Sequence, residues 1–282
     1  MVKEWKVLDF LLQRHWFTSV RKKDEQSIIA LTDYMDNHIE RRAGIEVEKS
    51  SLKITEAWLT RMGRAGNMAE ETVHVDSLKG VEAYLGSGRQ MKAALQNAGD
   101  ELERSLFNDC VIGVVQAETF FFDQRGYPDA EAYNDFWEKA YAGSCRYYSN
   151  LELVQSSWAD FIGGSPRQAD LFSRSKSQQL IKNQQGNQII AGSLVDTFHQ
   201  MASWLEFDAA GKVRGASGQV LRAPDQVCRL AADLTENLVG LSLSGKSKKE
   251  VAELMGAGQG CIHLIDLVWE SIQTLKRHQG ER

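Results

Sequence analysis

From Trp16 to Val20, and again from Ser27 to Thr32, apolar and β-branched residues crowd into short runs separated by the charged turn Arg21–Glu25, which predicts two strands joined tightly. Gly44–Glu48 and Leu52–Leu59 alternate apolar with polar positions, so each turns one face to a core. The short links between these runs make an antiparallel meander. Beyond Met68 the period lengthens: Ser77–Leu85 and Gln90–Leu95 have helical spacing, and Glu101–Phe122 predicts a longer helix buried on most sides. The later part of the chain repeats this plan. Strands are predicted at Leu171–Lys176, Asn187–Val195, Ala202–Asp208 and Lys212–Leu221; after Pro224, helices are predicted at Asp225–Leu238, Lys248–Met255 and Cys261–Arg277.

The repetition extends to residues. Gln26–Asp33 reads QSIIALTD and Asn187–Asp196 reads NQIIAGSLVD; Tyr84–Leu95 (YLGSGRQMKAAL) is echoed by Leu243–Leu254 (LSLSGKSKKEVAEL). The echoes keep their order and nearly their separation, which predicts a tandem duplication of a unit of about 110 to 130 residues. The expected fold is therefore α+β and pseudo-twofold, each unit an antiparallel β-meander followed by packing helices. The predicted domains are a first repeat over 1–122, an aromatic-rich helical insert over 123–166, and a second repeat over 167–282. The insert is too aromatic for a linker; Asp129–Tyr141 has helical spacing, and the segment is expected to pack against both units and close over a site.

Composition narrows the function classes. Hydrophobic content of 43% and charged content of 25% suit a globular protein with two cores. A net charge of -5 with only short basic clusters, Arg21–Lys23 and Lys246–Lys249, argues against nucleic acid as a partner. No run approaches the roughly 20 apolar residues of a membrane span, and the N-terminus lacks the pattern of a signal peptide. Cys110, Cys145, Cys228 and Cys261 are widely spaced without a CxxC pair, so a reducing cytoplasm is the expected compartment.

The candidate chemistry gathers in the second repeat. Asp196-Thr197-Phe198-His199 falls at a predicted turn between strands, Cys228 in the first helix after the sheet, and Cys261-Ile262-His263 at the start of the last helix. His199, Cys228, Cys261 and His263 form a Cys2His2 set whose donors suit zinc, although structural zinc sites use tighter ligand spacing. Alternatively, Cys261 is a nucleophile whose pKa is lowered by a helix N-terminus, with His199 or His263 as base held by Asp196. In the third reading the thiols are small core hydrophobes and the histidines satisfy local hydrogen bonds. In the first repeat, Cys110 is expected in the place of Cys261, Ile112 in that of His263 and Asp33 in that of Asp196, so that half reads as degenerate. Arg146, Tyr147 and Tyr148 in the insert are candidate substrate-binding groups; buried aromatic packing is their alternative. Gly86–Gly88 and Gly256–Gly260 read as helix-terminating turns rather than phosphate loops.

The stretch Ser193–Leu275 contains LVDTFHQM, NLVGL (Asn237–Leu241) and GCIHLIDL (Gly260–Leu267). It resembles the bacterial family called domain of unknown function 2889, with its D-x-x-H turn, a cysteine after the sheet, an L-V-G-L segment and a terminal G-C-x-H-L helix start. The resemblance implies a shared site at Asp196, His199, Cys228, Cys261 and His263, and it implies no activity. The expectation drawn from residues and resemblance together is a cytoplasmic metabolic enzyme. It would be a zinc-dependent hydrolase or lyase acting on an organic acid or aromatic compound. Two alternatives stand beside it: a ligand-binding or assembly protein with a structural Cys/His site, and a metal-free cysteine enzyme. The expected partner is a small-molecule substrate, with neither nucleic acid nor membrane; a homodimer stays open.

Overall fold

The computed structural model describes residues 8–63, 69–163 and 167–280. The predicted insert boundary at Pro166 and the outer limits of the first and last predicted domains lie outside the described residues. The strands are β1 (Asp9–Lys22), β2 (Ser27–Asp36), β3 (Glu40–Glu48), β4 (Ile54–Met62), β5 (Glu70–His74), β6 (Asp170–Lys182), β7 (Gln188–Asp196), β8 (Gln200–Phe207) and β9 (Val213–Arg222). The α-helices are α1 (Gly88–Ala94), α2 (Glu101–Ala117), α3 (Ala130–Ala140), α4 (Trp158–Ile162), α5 (Lys248–Leu254) and α6 (Ile262–Gln279). The described strands form one nine-stranded antiparallel sheet in the order β5-β4-β3-β2-β1-β6-β7-β8-β9, so the α+β expectation holds. No helix among the described residues is long and apolar enough to cross a membrane.

Two features depart from the periodicity. Strand β5 escapes it because all five of its residues are exposed, leaving no alternation to read. The segments after β5 and β9 are 3-10 turns rather than α-helices: Asp76–Leu78 in one case, Gln226–Ala231 and Asp233–Leu238 in the other. Gly80 and Gly240, at φ of 82° and 86°, turn the chain back so that their N–H groups reach Ile54 O and Val213 O, each at 2.8 Å. Bonding to a strand thus displaces the next helical turn, and glycine adopts the required left-handed backbone without steric cost.

The chain divides into two compact units. One comprises His15–Asn134 and Ile162–Ser175; the other comprises Met1–Arg14, Asp135–Phe161 and Lys176–Arg282. In the first, α2 packs on β2 and β3; Leu106, Phe107, Cys110 and Val114 of the helix and Ile28, Ala30, Ala43 and Ile45 of the strands are buried. Its N-terminus carries a capping box between Asp100 and Glu103. In the second, α6 packs on β7 and β8, where Leu264, Leu267, Val268 and Ile272 join Ile190, Leu194, Met201 and Leu205 in one core.

The same backbone hydrogen bonds recur in both units. Lys23 N to Ser27 O and Asn183 N to Asn187 O both measure 3.0 Å; Ile54 N to Val81 O and Val213 N to Leu241 O both measure 2.9 Å. Ser87 and Ser247 each accept from the residue four further on, Met91 and Val251. A turn bonded like that at Asp196–His199 begins at Asp36: Asp36 N bonds Ile39 O at 3.0 Å, and Asp36 Oδ1 accepts from His38 N and Ile39 N. Asp33 faces outward to Arg42 at 2.6 Å. The residue at the N-cap of α2 is Asp100, whereas Cys110 lies mid-helix.

Candidate functional site

The turn Asp196–His199, where β7 passes to β8, builds half of the site. Asp196 Oδ1 accepts from Phe198 N at 2.8 Å and His199 N at 2.6 Å, and Asp196 N donates to His199 O at 2.8 Å. An aspartate is suited to this position because its short carboxylate folds back onto the backbone N–H groups of the turn. The same oxygen lies 3.1 Å from His199 Nδ1. An ionised carboxylate only accepts, so in this pair Nδ1 is the donor and Nε2 faces away from the carboxylate. Arg222, at the end of β9, donates to Thr197 O at 2.8 Å, Asp196 O at 2.6 Å and His199 O at 3.3 Å. Trp158 of α4 packs edge-on against Phe198 at 4.8 Å.

Helix α6 supplies the other half. Its first turn carries His263, whose ring lies 4.1 Å from that of His199 with the planes 33° apart. One ligand atom each from Asp196, His199 and His263 falls within 4.8 Å of the others, and the first two residues are buried. Two imidazoles and a carboxylate are a donor set for a divalent transition metal.

The cysteines stand apart from this group. Cys261 is the N-cap of α6, yet it is buried in the core with its thiol 3.6 Å from Met201 Sδ. The expected lowering of its pKa does not follow. Burial pushes the thiol up to about 12 and outweighs the backbone N–H groups of Leu264 and His263, which pull the other way. Cys228, half-buried in the 3-10 stretch after β9, packs against the same core, and burial raises it to about 11. Neither sulfur belongs to the cluster of Asp196, His199 and His263.

The insert residues dock beside the start of α6. Arg146 N donates to Gly260 O at 2.9 Å, and Ser149 Oγ donates to Gly258 O at 2.7 Å. Tyr147 is buried, its hydroxyl donates to Ser156 O at 3.4 Å, and burial raises its pKa to about 12. Tyr148 stacks edge-on with Tyr147 at 5.0 Å and is likewise raised by burial. Asp225 ties the next stretch down, accepting from Gln155 N at 2.9 Å and Ser156 N at 3.2 Å. Sequence reasoning missed Arg222, because it ended the last strand at Leu221; the pairing of Arg222 with Gln200 is the signal that places it beside the turn.

No curated protein and no solved structure matches this chain. Residues 174–276, which contain Asp196, His199, Arg222, Cys228, Cys261 and His263, match the family described as Protein of unknown function (DUF2889).

Proposed function

We propose that this chain is a metal-dependent small-molecule hydrolase or lyase, acting on an organic acid or aromatic compound, with a divalent metal held by His199 and His263 and with Asp196 orienting His199. The convergence of these three residues within 4.8 Å, from two separate elements, is the observation that carries the reading. Zinc in such a site supplies Lewis acidity and a bound water of pKa about 7. The protein's own part is orientation: Asp196 fixes the tautomer of His199, so that Nε2 faces outward as ligand or base. Arg146, Tyr147 and Tyr148 remain the proposed substrate-facing elements of the insert, and the cytoplasm the proposed compartment. The recurring hydrogen bonds support descent of the two units from a tandem duplication. In that case Ile39 stands where His199 does, and one unit alone keeps the site.

A second reading is supported by the 3.1 Å pair itself: His199, oriented by Asp196, serves as a metal-free general base. A closed structural site, the non-catalytic alternative, requires a fourth protein ligand. Elemental analysis of protein purified without a histidine tag separates these readings. About one equivalent of zinc or a similar metal is expected; less than about 0.1 equivalent, unchanged after zinc addition, sinks the metal reading and leaves the general base.

A further inference from the structure

We infer that Arg222 is the positioning residue of this site, holding the Asp196–His199 turn in the geometry that aims His199 Nε2 at the ligand. One guanidinium spans three carbonyl oxygens of a single turn, those of Asp196, Thr197 and His199. A planar fork with five fixed donors can bridge several acceptors at once, which an ammonium cannot do in the same way. The strand is shaped for this. Gln200 pairs with Arg222 but Met201 pairs with Val220, so Leu221 is an extra residue in β9, a bulge of the kind that re-aims a neighbouring side chain. In the other unit the register from Glu40–Met62 to Arg41–Arg61 runs without such a shift, and Arg61 reaches Glu103 at 2.7 Å and 2.9 Å. The bulge and the bridging guanidinium thus accompany the turn that bears the histidine.

Positioning and simple electrostatics predict opposite signs. A cation near a metal site repels the metal, so Arg222→Gln tightens zinc binding if charge is all that matters. If Arg222 positions the turn, the same variant weakens it by about 10- to 100-fold, the usual effect of losing an orienting partner.

The inference rests on the metal reading for its affinity test but not for its spectroscopic one. Zinc affinity is measured by chelator competition for the whole chain, wild type, Arg222→Gln and Arg222→Lys, with Arg125→Gln as a destabilised variant in the other unit. Weaker binding in Arg222→Gln, at most partial recovery in Arg222→Lys and wild-type affinity in Arg125→Gln are expected. In metal-free protein, nitrogen-15 spectra should show His199 protonated at Nδ1 in the wild type and as a tautomer mixture in Arg222→Gln. If that variant fails to fold, Arg222→Lys carries both tests. Unchanged or tighter zinc binding together with an unchanged tautomer overturns the role of Arg222. Absence of zinc binding in the wild type overturns the metal reading, and the tautomer result then decides for or against Arg222.

Discussion

The rings of His199 and His263 lie 4.1 Å apart, one presented by a β-turn and the other by the first turn of a helix. Elements far apart in sequence place two imidazoles and the carboxylate of Asp196 together, whereas the two cysteines of the same family match pack into the core. Metal content should therefore follow the histidines. His199→Ala and His263→Ala are expected to lose at least nine-tenths of bound zinc by elemental analysis, roughly a 10-fold effect or more. Cys228→Ala and His278→Ala should keep it. Equal loss in all four would show that the cluster is not the ligand set.

The buried thiols make stability fall in base. Cys110, Cys228 and Cys261 are raised by burial to about 12, 11 and 12. Below about pH 7.5 such thiols are neutral both folded and unfolded, so their burial carries no ionisation cost. As pH rises from about 9 towards 12 the unfolded chain ionises first and stability is lost, by about 1.4 kcal/mol per thiol at pH 10. Urea midpoints at pH 7.5 and 10 should differ less in Cys110→Ala than in the wild type. Iodoacetamide should modify Cys261 slowly near neutral pH until the chain is unfolded; fast labelling of native protein would restore the nucleophile reading.

Glu118 anchors one unit. Its carboxylate is fully buried and accepts from Tyr84 OH at 2.5 Å, Tyr133 OH at 3.2 Å and Arg125 Nε at 2.9 Å. Glu118→Gln keeps the shape but leaves the largely buried Arg125 without its counter-charge. A loss of about 3 kcal/mol in chemical denaturation is expected, with zinc content unchanged.

Gly258 lets the insert approach α6. A Cβ there would lie 2.2 Å from Gly143 O, a backbone atom that no rotamer change moves. Gly258→Ala should cost about 1–3 kcal/mol and expose the 143–150 segment to limited proteolysis. Wild-type resistance would mean that the two loops separate without consequence.

Much of the fold is legible because burial writes itself into period. Alternation in β3 and β4, the apolar run of β2, and 3.6-residue spacing in α2 and α6 mark faces that must leave water. Strand β5 carries no such mark, being wholly exposed, and the 3-10 turns share their i to i+3 spacing with α-helices. Candidate site residues were legible as types: Asp196 and His199 by their turn, His263 by its helix start.

Most strands and helices, the turn that Asp196 caps, and the shortlist of histidines and cysteines are set by neighbours along the chain. That His263 meets His199 while Cys228 and Cys261 turn into the core, and that Arg222 closes on the turn, follows from how distant elements pack. Ligand sets and pKa values depend on distances and burial between elements, and two residues in one helical turn, Cys261 and His263, can face opposite environments.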